Sequence, residues 1–351
     1  MRTKFDTFKN IECVRRINHG STYSIGDDLL GQPKIVIVGC GGAGENVVDH
    51  IHKLGISGAE TIAIDTDKEH LDMIQADKRV LIGKSINKGL GTGGNLDFGK
   101  RSAELARPTL EALLDSADLV FVIAGLGGGA GTGSSSVIAQ IAMEQGAITV
   151  GIVSYPLQTE IGRPPIADVG IKSLISSSHS VIVFDNNRLM DLNTDMPINQ
   201  VFSIMDQIIG EAVKGISELI NEPMLINIDY ADVRAIMSKG GISVMFVGES
   251  KQQNRVDSVV RDCLSNPMIE IDYRGATGCL IHISGGSDMS LQEAEEIATS
   301  FTYELDPHAD VIWGARVRKD MVEKIRVFAI MTGVRSRFDE ASPVKKDRIT
   351  T

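Results

Sequence analysis

The sequence predicts an α/β protein with a doubly wound nucleotide-binding domain, a long central helix and a smaller α+β C-terminal domain. Three observations predict it. In the first half, short apolar runs, several ending at glycine, alternate with amphipathic helical patterns. An uninterrupted helical pattern then runs from about 199 to 220. A second strand-rich stretch, bounded by turn residues, closes the chain.

Residues 1–30 are a polar N-terminal extension in which Phe8, Ile11, Val14 and Ile17 recur at helical spacing. A short amphipathic helix is expected there, packed on the body or on a partner. The first domain, 31–198, holds buried parallel strands at 34–38, 60–64, 119–123, 147–153 and 181–184, with helices at 44–54, 97–115, 133–145 and 165–178 between them. Parallel strands with crossover helices gather their loops at the strand carboxyl edge. The central helix, 199–221, carries Val201, Ile204, Ile208, Ala212, Val213, Ile216 and Ile220 at three- and four-residue spacing. The second domain, 222–334, reads as a short strand at 225–228, a helix at 231–238 and strands at 241–248, 266–273, 277–284, 310–317 and 324–333. The stretch 335–351 is a polar, basic tail.

At 351 residues, with 42% hydrophobic and 23% charged residues, the chain can bury two cores. No apolar run reaches the roughly 18 residues that span a bilayer, and the polar start lacks a secretory signal, so a cytoplasmic protein with no direct membrane span is expected. The four cysteines (Cys13, Cys40, Cys263, Cys279) show no C-x-x-C spacing and read as reduced, mostly buried thiols. A net charge of -11 argues against general nucleic-acid binding, which needs an excess of Lys and Arg.

Chemistry concentrates in three glycine loops. Gly39–Gly44 follows a strand and opens a helix, and Asp65 ends the next strand about 20 residues on. Alone, this pair fits an NAD-dependent oxidoreductase, or a plain structural turn, as well as any other phosphate binder. Gly89–Asn95 and Gly125–Gly133 add two more loops at the same edge. Three such loops would converge on one crevice and surround a multiply charged phosphate chain, with hydroxyls of Thr92, Thr132 and Ser134 as further donors. No G-x-x-x-x-G-K-[ST] occurs, so backbone N–H groups, helix dipoles and a cation such as Mg²⁺ must meet the phosphate charge. Asp206 lies one turn along the long helix from Phe202. A carboxylate there can face the same pocket as the ring and accept from N–H donors of a ligand.

Gly127–Gly133 resembles the Gly-Gly-Gly-Thr-Gly-Thr-Gly signature of the tubulin/FtsZ family, and collinear matches run from about 34 to 335. They include Phe202–Ile220, Leu225–Met237, Gly240–Met245, Tyr273–Gly278 and Ile312–Arg316. Tyr155-Pro156 and the spacing of Glu160 and Arg163 are similar to the archaeal FtsZ branch. The resemblance implies GTP or GDP with Mg²⁺, held by Gly41, Gly42, Ala43, Asn46, Asp65, Thr66, Gly93, Gly94, Asn95 and the run Gly127, Gly128, Gly129, Ala130, Gly131, Thr132 and Gly133. It implies that Glu160 and Arg163 contact ribose and phosphate, and that Asn186, Phe202 and Asp206 hold the base. It also implies a GTPase of cell division at the midcell ring, built as a head-to-tail homopolymer with membrane anchors or adaptor proteins as partners.

Asn227, Asp229 and Asp232 are the expected catalytic set by this resemblance. Read locally, Asp229 and Asp232 are equally a capping box at a helix start. They follow a helix of about 20 residues, which spans roughly 30 Å, so they are out of reach of their own chain's phosphates and suited to a neighbour's. Two positions depart from the family: Ala130 replaces the first signature threonine, and Leu96 replaces the proline after Asn95. A filament scaffold with degraded chemistry is the reading those departures would support.

Overall fold

The computed structural model of the protein describes residues 33–338, apart from 57, 193–196, 222–224, 253, 266–271 and 304. The amphipathic pattern of 8–17, most of the strand expected at 266–273 and the tail beyond 338 lie outside the described residues. In chain order the elements are β1 (Ile35–Cys40), α1 (Gly41–Leu54), β2 (Ala59–Asp65), α2 (Lys68–Met73), β3 (Lys78–Leu81), α3 (Lys84–Asn87), α4 (Leu96–Leu105), α5 (Arg107–Leu114), β4 (Leu119–Gly125), α6 (Gly129–Glu144), β5 (Ile148–Tyr155) and α7 (Arg163–Ser177). They continue with β6 (Ser180–Asp185), α8 (Asn186–Leu192), α9 (Ile198–Asn221), α10 (Tyr230–Met237), β7 (Ile242–Ser250), α11 (Arg255–Leu264), β8 (Gly278–Gly285), α12 (Leu291–Thr302), β9 (Asp310–Val317) and β10 (Ile325–Thr332).

The strands form one sheet in the order β3-β2-β1-β4-β5-β6-β7-β10-β8-β9. From β3 to β6 every pairing is parallel, and the order reverses between β1 and β4. The two halves of the sheet join through only two residue pairs, Val181 with Ile242 and Ile182 with Ser243. Beyond that joint, β10 runs antiparallel to β7 and β8, while β9 is parallel to β8.

Strand identity follows from burial on both faces. All six residues of β1 are buried, and alternate side chains feed opposite cores. Val36, Val38, Val120 and Val122 join the layer with α6. Ile35, Ile37, Leu119 and Phe121 join the layer with α1 and α9. The 24 residues of α9 span about 36 Å at helical rise. Its stripe of Val201, Met205, Ile209, Val213 and Ile216 packs with Ile182 of β6 and with Met245 and Phe328 of β7 and β10. The helix therefore lies across the joint between the two halves of the sheet. Cys40, Cys263 and Cys279 are buried free thiols, as their spacing suggested.

Three local expectations change. The helix expected over 97–115 is two, broken at Ala106, because Pro108 has no N–H to continue the ladder and belongs in a first turn. Residues 225–228 make a single bridge, Ile226 with Ala315, in place of a strand, since the chain is already turning into the N-cap of α10. The edge strand β3, helices α11 and α12 and the short α2, α3 and α8 add to the expected elements.

Candidate functional site

At the topological switch between β1 and β4 lies a cleft of about 540 Å³. Its floor is made where α1 and α6 begin: Gly41, Gly42 and Ala43 from one, Gly128, Gly129, Ala130 and Gly131 from the other. Neither helix has a side-chain cap at its N-terminus. Their first N–H groups stay free for a ligand and carry partial positive charge. The two loops must also touch. A Cβ on Gly41, whose φ is +69°, would sit 2.6 Å from the backbone nitrogen of Gly131. A Cβ on Gly44 would sit 2.4 Å from the Ile123 carbonyl, so this glycine lets α1 lie close on β4.

One wall comes from the end of β2. Asp65 turns its carboxylate back to accept from the N–H groups of Thr66 (2.5 Å) and Asp67 (3.4 Å). Asp67 caps α2 by accepting from Glu69 N–H (3.0 Å) and His70 N–H (3.4 Å). His70 then reaches Glu45 on α1, Nδ1 to Oε2, at 2.7 Å. Glu45 is fully buried, and its other oxygen, Oε1, has no hydrogen-bond partner. Burial pushes its carboxyl up to about 7 and raises that of Asp65 as well. Ligand atoms of Glu45, Asp65 and His70 lie within 4.8 Å of one another.

The opposite wall follows β5 and β6. Ser154 and Pro156 flank the strand end, and Glu160 and Arg163 pair at 2.7 Å in the loop that opens α7. Glu160 also accepts from Leu157 N–H at 3.0 Å, which closes that turn. At the far end stand Asn186, Phe202, Met205 and Asp206. Asn186 is 5% exposed and its Oδ1 has no partner in the protein. Burial pushes Asp206 up to about 7. An orphaned buried amide and an unrelieved carboxyl lining one cleft are what a ligand with complementary N–H and C=O groups would satisfy.

The cleft thus unites Gly41, Gly42, Ala43, Asn46, Asp65, Thr66, Gly128 to Gly131, Glu160, Arg163, Asn186, Phe202 and Asp206, with Thr92 as an additional hydroxyl. Seven expected contacts do not line it: Gly93, Gly94, Asn95, Gly127, Thr132, Gly133 and Ser134. Asn95 caps α4 by accepting from Phe98 N–H at 3.2 Å. Gly93 and Gly94 serve the turn before it with φ of +57° and +83°. Thr132 is buried and accepts from Gly127 N–H at 2.9 Å, so its hydroxyl braces the loop from behind. Gly133 faces α4, where a Cβ would meet the Leu96 carbonyl at 2.4 Å. Ser134, expected as a donor, gives its hydroxyl to the Ala130 carbonyl at 2.8 Å. Conversely, Asp67, His70, Gly91, Ser154 and Met205 line the cleft without having been singled out as contacts. The pairing of His70 with Glu45 spans 25 positions, and no local pattern signals it.

Asn227 and Asp229 are exposed, Asp232 is half-buried, and all three lie past the far end of α9 from Phe202 and Asp206. The capping box is real: Asp232 N–H donates to Asp229 at 2.9 Å, and Asp229 N–H donates to Asp232 at 3.0 Å. Each acid spends one oxygen on the cap, Oδ1 of Asp229 and Oδ2 of Asp232.

Two uncapped helix starts at a sheet's switch point, closed at one end by a long helix bearing an aromatic ring and an acid, define a phosphate-gripping nucleotide-binding protein. The GTPase-domain model of the tubulin/FtsZ family matches residues 34–194, and the FtsZ C-terminal-domain model matches 241–335. The chain belongs to the tubulin/FtsZ family and is a GTPase. It is 53% identical over 309 residues to cell division protein FtsZ 2 of Halobacterium salinarum, covering 88% of this chain and 79% of that one. It is 52% identical over 325 residues to FtsZ 2 of Methanocaldococcus jannaschii, covering 92% and 86%. Among solved structures, the empty FtsZ dimer of M. jannaschii superposes with a TM-score of 0.81 at 39% identity, covering 86% of this chain and 89% of that chain. An NAD-dependent oxidoreductase is thereby set aside.

Ala130 lines the glycine-loop end of the cleft where the family signature has threonine. Restoring a hydroxyl with Ala130→Thr is expected to lower the KM for GTP about fivefold, the worth of one ordinary hydrogen bond. Steady-state turnover against GTP concentration reads this directly, and an unchanged KM would show that backbone N–H groups already satisfy the phosphates.

Proposed function

We propose that this protein is a cell-division GTPase that polymerises head to tail and hydrolyses GTP at the joint between subunits. One observation carries the reading. The glycine-lined cleft lies at the Phe202–Asp206 end of a helix of about 36 Å, while Asn227, Asp229 and the half-buried Asp232 lie beyond its other end. Stacking a second copy brings the trio of one chain to the cleft of the next, and such a heterologous contact repeats without closing. In this reading Phe202 stacks on guanine, and Asp206 accepts from its N1–H and N2–H. Asn186 completes the base contacts, and Glu160 with Arg163 holds ribose and phosphate. Asp229 and Asp232 orient the attacking water with the oxygens that the capping box leaves over.

The residues around the phosphates fit a Mg²⁺ ion. Asp65 lines the cleft, and its carboxylate lies with ligand atoms of His70 and of the fully buried Glu45 within 4.8 Å of one another, a donor set that would hold the ion at this wall. A bound ion would supply charge neutralisation for the β- and γ-phosphates. The chain's own groups bind the base, align the phosphates on the two helix starts and present the partner's acids. Functionally, 31–198 serves as the GTP-binding domain, 199–221 as the connecting helix and 222–334 as the part that activates the neighbour. The place of action is the division site. Among the described residues no helix is long and apolar enough to cross a membrane, so attachment there would fall to anchors or adaptor proteins.

GTP turnover per subunit, measured across a hundredfold range of protein concentration, tests the shared site. Specific activity is expected to rise steeply with concentration and then level off. A flat profile would mean that each chain hydrolyses its nucleotide alone.

A further inference from the structure

We propose that the segment Gly333–Phe338, which leaves β10, is a strap that positions the nucleotide cleft, with Arg337 as the positioning residue. The inference rests on the nucleotide-cleft reading above and assigns a new residue to that site. Val334 N–H donates to the Ile242 carbonyl at 3.2 Å, and Arg335 bridges Asp272. Both contacts tie the start of the strap to the C-terminal half. Its end crosses to the other half, where the Phe338 ring lies 5.8 Å from that of Tyr155. The Arg337 guanidinium stands over the Tyr155 ring at 4.8 Å and reaches Asp185 at 3.6 Å.

Arg337 also lies over the Phe338 ring at 4.8 Å, and its two partners outside the strap, Tyr155 and Asp185, are neighbours of cleft residues. Tyr155 sits between Ser154 and Pro156, and Asp185 precedes Asn186. The Tyr155 hydroxyl donates to Asp168 at 2.9 Å, which anchors the ring on α7. Asp185 accepts from both the N–H (2.9 Å) and the Nδ2 (2.6 Å) of Asn187. Asn187 in turn donates to the Pro156 carbonyl at 3.0 Å and accepts from Gln158 N–H at 2.8 Å. A continuous chain therefore runs from Arg337 through Asp185 and Asn187 to the loop that carries Glu160 and Arg163. The Arg337 side chain is 56% exposed. Removing an exposed partner of this kind costs the fold little, whereas a small displacement of a binding loop costs affinity directly. That difference separates positioning from packing.

The full chain, carrying Arg337→Ala, Arg337→Lys, Asn187→Ala or the Arg337→Ala/Asn187→Ala pair, is titrated with fluorescent GDP and melted without nucleotide. Arg337→Ala is expected to raise the Kd about tenfold and to speed GDP release. Its KM for GTP rises while kcat at saturation stays put, and its nucleotide-free melting point stays within about 2 °C of the parent. Arg337→Lys, which keeps the charge facing Asp185, recovers part of the affinity. The double variant is no weaker than the weaker single one, because both act along one route. Unchanged affinity in Arg337→Ala, full additivity in the pair, or a loss matched by a lower nucleotide-free melting point would each overturn the strap. If the parent chain itself binds no GDP, the nucleotide-cleft reading fails first, and the two failures are told apart by that control.

Discussion

Asp232→Asn is expected to cut GTP turnover by about 100-fold or more while leaving GDP affinity unchanged. The asparagine keeps an oxygen able to accept the Asp229 N–H bond that Asp232 now holds at 3.0 Å. It removes the charge proposed to orient water. The amide thus isolates chemistry from capping. Asp229→Ala removes the cap as well and should destabilise the chain by about 1 kcal/mol in addition to abolishing turnover. A mixing experiment goes further. Gly41→Val places a branched side chain at a φ of +69° against the Gly131 backbone, which disables the cleft but leaves the acids intact. Asp232→Asn does the opposite. Each variant alone should be inactive, and an equimolar mixture should regain activity, because a joint can then pair a sound cleft with a sound Asp229–Asp232 pair. A mixture as dead as its parts would mean that cleft and acids must belong to one chain.

How much of this was legible in the sequence depends on where each signal resides. Buried parallel strands were legible because both faces are covered and the apolar run is unbroken, as in all six residues of β1. The edge strand β3 was not, since Lys78 and Arg79 are exposed and break any run. The Phe202–Asp206 end of the cleft was legible because the two share a helix face, which spacing encodes. The glycine-loop end was only partly so. Glycine content marks where backbones come close, but it cannot say whether the near neighbour is a ligand or another helix. Gly133 and Asn95 proved to serve α4, and Thr132 the loop's own support. Residues brought in by tertiary contact alone, such as His70 against Glu45, leave no trace in local pattern. The acids at 229 and 232 show the reverse case. Their local role as a cap is fully written in the sequence and realised in the fold, yet the proposed catalytic role depends on a second molecule.

Asp206→Ala is expected to weaken guanine-nucleotide binding about 100-fold, because two N–H donors of the base would be buried without an acceptor. Inosine diphosphate, which lacks the N2 amino group, should lose much less. The same carboxyl sets a pH dependence whose sign follows from its environment. With no charged partner to offset burial, its value rises from 3.8 to about 7 in the folded chain. In the ligand-free protein this group's contribution to stability is complete below its unfolded value and is lost as pH rises through about 7. Nucleotide binding runs the other way, since only the ionised form accepts from N1–H and N2–H. The association constant for GDP should climb by up to tenfold per pH unit from about 5.5 towards 7 and flatten above that. Asp206→Asn should flatten the whole profile while retaining part of the affinity through its amide oxygen. GDP titrations at stepped pH decide the matter. A parent profile already flat below pH 7 would mean that the base is read elsewhere in the cleft, with Asn186 and its unpartnered buried oxygen the first residue to probe.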